Sequence, residues 1–584
     1  MTPATSITAA IPGKETYDLI VVGAGGGGMA AALFGAVRGC RVLLVESTEF
    51  VGGTTAYSGG TTWIPNTHLA AAVDAEDSPE RARTYLTGVI GPSLDPPLLD
   101  AFLRNGPIAI EKLEENTDVK FRAFPMHPDY ESDVEGAVVR GRALEPLPFD
   151  GRKLGAAFAL LRPPIPEFTV LGGMMVDRQD IGHLMKLRKS STSFRYSMGL
   201  LARHLRDRLR HPRGTRLVMG NALIGRLLHS LRARNVPVWT RAEVTDIRSL
   251  GSEGLQVSVT HGGRQQALRA LRGVILATGG FNRHVRLRRE RLGEIAPYSP
   301  TAPGNTGGGI ELATALGGRV GEDGYEPVLW APVSVRTRSD GTTAVFPHFI
   351  MDRGKPGTMV VNRAGRRFLN ETVSYHQFGH AMRVANVQSP CIPAYLIADR
   401  LALQKYGLGM VRPGTRDVSA FVSEGYLFEG RTLDELATRL GMPPQALRQS
   451  AEEITRYAAD GVDRAFGRGS TVYQRNNGDP TVAPNPTLGR LENAPFYAVR
   501  IFLGDIGAAS GLVTDANANV LDHANEPIHG LYAVGNDMHS VMGGTYPGPG
   551  ITLGPAIAFA YTAVEHALAT TAPTAIEARH VAAD

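Results

Sequence analysis

Cysteine is nearly absent: the 584 residues hold two, Cys40 and Cys391, with no Cys-x-x-Cys pair and no Cys/His cluster. Neither a disulfide framework nor a metal site is therefore expected, and the thiol economy fits a reducing cytoplasm. No apolar run reaches the ~20 residues a membrane-crossing helix needs. The first sixteen residues lack a basic segment followed by an apolar one, so no secretory leader is expected. Internal repeats and low-complexity tracts are also missing. With 43% hydrophobic and 20% charged residues, the composition is that of an ordinary globular chain long enough for several domains.

What is present begins with glycine. Asp18 to Val22 reads as a buried parallel strand that runs into Gly23-Ala-Gly25-Gly-Gly-Gly28 and a helix of small residues. Arg41 to Val45 is the next strand, and it ends in Glu46, eighteen residues after Gly28. Strand, glycine turn, helix, strand and acid in that order predict a Rossmann-like dinucleotide fold. Gly23 permits the tight turn, Gly25 lets the backbone approach a pyrophosphate, Gly28 lets helix and strand pack closely, and Glu46 is placed for ribose hydroxyls. The loop from Phe50 to Gly60, with Gly53, Thr54, Ser58, Gly59 and Gly60, suits a pyrophosphate and an isoalloxazine ring, which favours FAD over a nicotinamide cofactor. Gly273 to Gly280, containing Thr278 and Gly279, and Gly530 to Asn536, containing Gly535, read as further buried strands and resemble the segments by which two-domain flavoproteins complete the FAD site. Leu553 closes the set of expected FAD contacts. No histidine lies between Gly52 and Trp63, the region where flavoproteins that this chain resembles attach flavin to histidine, so the resemblance implies noncovalent flavin.

These strands frame an α/β FAD-binding domain made of residues 1–325 and 498–584, with an inserted α+β substrate-capping domain at 326–497. Met359 to Glu371 reads as a hairpin carrying a basic turn. Near the C-terminus, Tyr546-Pro-Gly-Pro-Gly550 puts a phenol and an unobstructed backbone amide four residues apart. Such a run forms either a Pro/Gly turn or a pair of donors to one oxygen, an oxyanion hole.

The whole chain resembles the 3-ketosteroid Δ1-dehydrogenases, within the fumarate reductase and succinate dehydrogenase flavoprotein superfamily. The resemblance is carried by Gly52 to Pro65, Phe121 to Tyr130, Asn370 to Tyr375 and Tyr546 to Gly550. It implies that Tyr546 and Gly550 clamp the C3 carbonyl of a 3-ketosteroid, that Tyr375 takes the C2 proton, and that C1 hydride passes to flavin N5. Tyr130 would assist Tyr375, because a phenol with pKa about 10 is only about one part in a thousand ionised at neutral pH. Two positions depart from the family pattern: Gly308, where many relatives carry an aspartate, and Asp537, where a small residue is common. Related chemistries remain as alternatives, namely 3-keto-5α-steroid Δ4-dehydrogenation and other flavin reductases of the superfamily. The acceptor that reoxidises the flavin is left open, a quinone being one option.

Between Arg178 and Arg216 lie eleven basic residues and two acids, an excess of nine against a chain total of +5. Tyr196 to Leu209 alternates apolar and basic residues in the manner of an amphipathic helix. The segment reads either as a solvated helical insertion or as a peripheral anchor on anionic lipid, at the inner face of the cell membrane. No nucleic-acid module accompanies it, so nucleic acid is not an expected partner.

Overall fold

The computed structural model describes residues 16–570, except 188, 339, 350 and 351. Its centre is a sheet in which Thr16–Val22 lies between Val42–Val45 and Arg264–Leu276, parallel to both. Val238–Trp239 extends this sheet on one side, and Pro527–Ala533 adds a parallel strand beside Arg264–Leu276. Ala242–Ser249 and Leu255–His261 form an antiparallel extension on the same strand. The inner strands are apolar on both faces because helices cover them: Gly26–Val37 packs against the C-terminal helix Leu553–Ala569 and against Met219–Ala233. Gly28 shows why the turn needs glycine, since a Cβ there would sit 1.9 Å from the carbonyl oxygen of Gly23.

The second sheet is antiparallel and holds Thr343–Pro347, Val328–Thr337, Phe496–Ala508, Ala394–Asp399 and Thr358–Val361 in that order, with Leu427–Gly430 also paired to Phe496–Ala508. Phe496–Ala508 runs straight through the sequence-drawn boundary at 497/498. Its run of buried residues continues from one side to the other, so no break in burial marks that boundary. The hairpin expected over Met359 to Glu371 does not form. Thr358–Val361 pairs instead with Ala394–Asp399, and only a turn closed by Asn362 N–H to the Arg366 carbonyl follows it.

Arg363 and Arg366 of the basic turn are exposed, whereas Arg367 is drawn inward for an electrostatic reason. Arg367 donates to both oxygens of Glu371 at 2.8 Å and to Asp463 at 2.7 Å, and Arg468 lies 3.4 Å from Glu371. All four side chains are buried. Glu371 also accepts from Val360 N–H, which ties the network to the sheet four residues ahead of Tyr375. Glu371→Ala is expected to cost about 3 to 5 kcal/mol, since it leaves buried guanidinium groups without their shared anion. Urea denaturation of the variant would read this loss directly.

Candidate active site and cofactor site

One continuous cavity runs between the two sheets, and its lining unites nearly all of the residues singled out from the sequence. Gly23, Gly25, Glu46, Gly53, Thr54, Ser58, Gly59, Gly60, Thr278, Gly279, Gly535, Asn536 and Leu553 border it, together with Tyr130, Tyr375, Tyr546 and Gly550. Gly28 does not reach the cavity and serves packing alone.

The dinucleotide end is built by backbone. The helix Gly26–Val37 opens onto the cavity at its N-terminus, where its dipole favours a negative group. A Cβ on Gly25 would meet no protein atom within 4 Å, so the space beside this turn is left for a ligand. Glu46 is held by Ala24 N–H at 2.9 Å on one oxygen and by Thr48 N–H and Oγ1 on the other, which leaves lone pairs for ribose hydroxyls. Thr54 Oγ1 accepts from Ala302 N–H and from Asn305 Nδ2, joining the glycine loop to the far wall. These donors and openings fit FAD.

Asp537 and Gly308, the two departures noted in the sequence, belong to one arrangement. The Asp537 carboxylate is fully buried and accepts from Thr278 Oγ1 and Gly280 N–H, both at 2.9 Å, as well as from Thr278 N–H. It lies at the start of the helix Gly308–Ala315, where a Cβ on Gly309 would approach it to 2.4 Å. Asp537 thus adds a buried carboxylate at this helix N-terminus, beside the helix's own first-turn Glu311.

At the other end three tyrosines meet. Tyr375 is the first residue of the helix Tyr375–Gln388, whose N-cap, Ser374, accepts from Gln377 N–H. Tyr130 OH donates to Tyr375 OH at 3.2 Å. The Tyr130 ring stacks on Tyr546 at 5.6 Å, and Tyr375 meets Tyr546 edge-on at 4.9 Å. Tyr130 is placed by its neighbours in sequence and space. Its N–H donates to the Pro547 carbonyl inside the Tyr546–Gly550 motif. Asp129 next to it is locked by Trp63 Nε1, Val138 N–H and Arg142, and Arg142 is itself paired with Asp77. Gly550 has φ of +101°, and a Cβ there would sit 2.3 Å from the Thr61 carbonyl oxygen, so the motif packs against the Thr61–Trp63 segment only as glycine.

Burial dominates the electrostatics. It pushes the Tyr130 and Tyr375 phenols well above the ordinary tyrosine range and Tyr546 up to about 12, so all three are neutral at rest. Arg353 opposes this for Tyr130; its guanidinium is buried and donates to the carbonyls of His348, Phe349, Val373 and Glu371. Burial also drives His376, 6.1 Å from the Tyr546 ring, down to about 4, leaving it neutral.

The walls of the tyrosine end escaped the sequence reading. Phe349, whose ring lies 5.0 Å from Tyr375, is an apolar wall there, and Pro347, Ile165, Phe168 and Ile506 add apolar lining to the same cavity. No motif marks these residues, because an apolar wall residue has the same sequence signature as a core residue.

The model of the FAD binding domain family matches residues 18–553 of this chain. A 3-oxosteroid 1-dehydrogenase of Mycobacterium tuberculosis is 36% identical over 94% of this chain and 98% of its own length. The chain belongs to the 3-oxosteroid 1-dehydrogenase family of FAD flavoproteins. A 4-oxocyclohex-2-ene-1-carboxylate 5-dehydrogenase of Sinomonas cyclohexanicum is equally near, 37% identical over 94% of this chain and 92% of its own. Among solved structures, the 3-ketosteroid Δ1-dehydrogenase of Sterolibacterium denitrificans, in complex with 1,4-androstadiene-3,17-dione, superposes with a TM-score of 0.89 at 35% identity, covering 96% of this chain and all of that one.

Proposed function

We propose that this chain removes the C1 and C2 hydrogens of a 3-ketosteroid. The observation that carries the reading is the meeting of Tyr546 and Gly550 with the Tyr130–Tyr375 pair on one cavity shared with the FAD-binding residues. Tyr546 OH and Gly550 N–H hold the C3 oxygen and stabilise the charge that grows on it. Tyr375 takes the C2 proton as a phenolate, the form that the hydrogen bond donated by Tyr130 stabilises. Bound FAD supplies the acceptor for the C1 hydride.

The charge distribution favours a steroid over a ring carboxylate. Among the described residues bordering the cavity, the basic ones are Arg162 and His127. Burial drives His127 down to about 3, so it is neutral, and Arg162 is turned toward Thr48 beside Glu46, at the dinucleotide end. The tyrosine end therefore offers apolar walls and no cation to grip a carboxylate, as an oxocyclohexene carboxylate or fumarate would require. Anaerobic titration with 4-androstene-3,17-dione tests the reading. Flavin bleaching with formation of the 1,4-diene is expected; bleaching only by 5α-saturated ketosteroids would point to Δ4-dehydrogenation, and bleaching only by a 4-oxocyclohexene carboxylate would overturn the steroid assignment.

A contact with anionic membrane belongs to the same proposal. Among the described residues no helix is long and apolar enough to cross a membrane. In the helix Ser191–Arg208 the usual arrangement is inverted: Ser193, Ser197, His204 and Asp207 face inward, while Phe194, Met198 and Leu205 are exposed. With Leu209, 84% exposed just past the helix end, these apolar residues form one stripe at helical spacing. Arg195, Arg206, Arg208 and Arg210 are exposed beside it. Arg203, Arg213 and Arg216 are not part of this exposed set: Arg203 and Arg216 form ion pairs with Asp150 and Asp180, and Arg213 stacks on Phe158. Apolar stripe and flanking cations match a headgroup interface, where steroid substrates partition. Changing Met198, Leu205 and Leu209 together to serine is expected to abolish flotation with phosphatidylserine vesicles and to leave steroid turnover in detergent unchanged. Equal flotation of wild type and variant would remove the anchor.

A further inference from the structure

Arg162 is the cation that the site's chemistry leaves unexplained. It is 5% exposed and lies in no glycine motif. Backbone pairing fixes it: Arg162 N–H donates to the Val51 carbonyl at 3.0 Å, and Val51 N–H donates to the Leu160 carbonyl at 2.9 Å. The side chain is thereby laid along the loop that follows Glu46, with its guanidinium carbon 5.7 Å from the Phe50 ring and 5.9 Å from the Tyr57 ring. Nη2 donates to Thr48 Oγ1 at 2.7 Å, and that hydroxyl donates to Glu46 Oε1 at the same distance. Nε is buried and has no hydrogen-bond partner. The guanidinium borders the same cavity as Gly25, Gly53, Thr54 and the start of the helix Gly26–Val37.

A buried guanidinium whose nearest bonded carboxylate stands one hydroxyl away is only partly compensated, and the remaining desolvation cost calls for an anion. FAD brings one. Its diphosphate is joined through the 5′-carbon to the ribose whose hydroxyls Glu46 is placed to hold, so it is the anionic group of the cofactor within the same part of the site as a cation beside Glu46. Arginine suits the task because its planar fork presents several donors to phosphate oxygens and its face stacks on aromatic rings. We propose that Arg162 is a ligand of the FAD diphosphate, acting from the dinucleotide end of the cavity beside Glu46. The glycine turn and helix N-terminus contribute partial charges, and Arg162 contributes the full positive charge. Phe50 and Tyr57 hold the guanidinium flat so that its free edge is presented to the cavity.

The test reads cofactor affinity rather than steroid turnover, so it stands apart from the substrate assignment. Purified holoenzyme is diluted, and FAD release is followed by flavin fluorescence in wild type, Arg162→Gln and Arg162→Lys. Rebinding is then competed with ADP, which carries the diphosphate without the flavin, and with adenosine, which carries neither. Arg162→Gln is expected to weaken FAD and ADP by tenfold or more while changing adenosine by less than twofold, and Arg162→Lys is expected to fall between. Unchanged FAD affinity in Arg162→Gln would overturn the proposal. So would an equal loss for ADP and adenosine, which would make Arg162 a packing residue of the Phe50–Tyr57 loop. Should Arg162→Gln fail to fold, a wild-type ratio of ADP to adenosine affinity with tenfold weaker binding of both in Arg162→Lys would count against it in the same way.

Discussion

Tyr375→Phe is expected to abolish turnover while leaving FAD and steroid bound. The substitution removes one oxygen and keeps the ring, so the edge contacts with Phe349 at 5.0 Å and Tyr546 at 4.9 Å survive and the cavity keeps its shape. What is lost is the acceptor for the C2 proton. Burial holds the Tyr375 phenol well above its ordinary pKa, so the phenolate that takes the C2 proton is scarce at neutral pH and relies on the hydrogen bond that Tyr130 donates to it. Because the reactive form is the deprotonated pair, flavin reduction in the wild type should speed up with rising pH across the neutral and alkaline range, with no acidic optimum from this group. In Tyr375→Phe that slope should vanish along with the rate. Stopped-flow flavin reduction gives the rate and difference spectra give steroid binding. A variant that reduces its flavin at more than a hundredth of the wild-type rate would place the base elsewhere.

The parts of this site that could be read from sequence are those in which one backbone conformation permits one residue. Gly23, Gly25 and Gly28 announce the dinucleotide turn because the approach of Gly28 to the Gly23 carbonyl excludes any side chain. Gly550 is legible for the same reason, being pressed against Thr61 in a left-handed conformation. Tyr130 is different: nothing local distinguishes it from other tyrosines, and its position depends on Asp129 being gripped by Trp63 and Arg142. Resemblance to a family found it where residue chemistry could not. Long-range pairing misled the reading elsewhere. The segment from Met359 to Glu371 reads as a hairpin with a basic turn, yet the partner of its strand is Ala394–Asp399, more than thirty residues on, and Arg367 is drawn inward by Glu371 and Asp463. Phe496–Ala508, a strand central to one sheet, leads directly into the segment that closes the other.

Tyr546→Phe is expected to lower kcat by about a hundredfold to a thousandfold, the loss typical of one oxyanion-hole donor, equivalent to about 2.7 to 4 kcal/mol of transition-state stabilisation. The phenylalanine ring can keep the stacking on Tyr130 at 5.6 Å, so the variant isolates the hydroxyl from the packing. With its pKa raised to about 12, Tyr546 stays protonated throughout the working pH range, as a donor to a developing oxyanion must. The same property separates its role from that of Tyr375. Loss of Tyr546 should lower the rate by a constant factor at every pH and preserve the alkaline rise, because the base pair Tyr130–Tyr375 is intact. Steroid binding should weaken far less than kcat falls, since the hydrogen bond to a neutral ketone is weaker than that to the charged oxygen it becomes. Gly550 N–H remains to support the residual rate. A loss smaller than threefold would mean that the C3 oxygen is held by other donors; a steep loss that also flattened the pH profile would mean that Tyr546 takes part in moving the proton, and the division of labour among the three phenols would have to be redrawn around it.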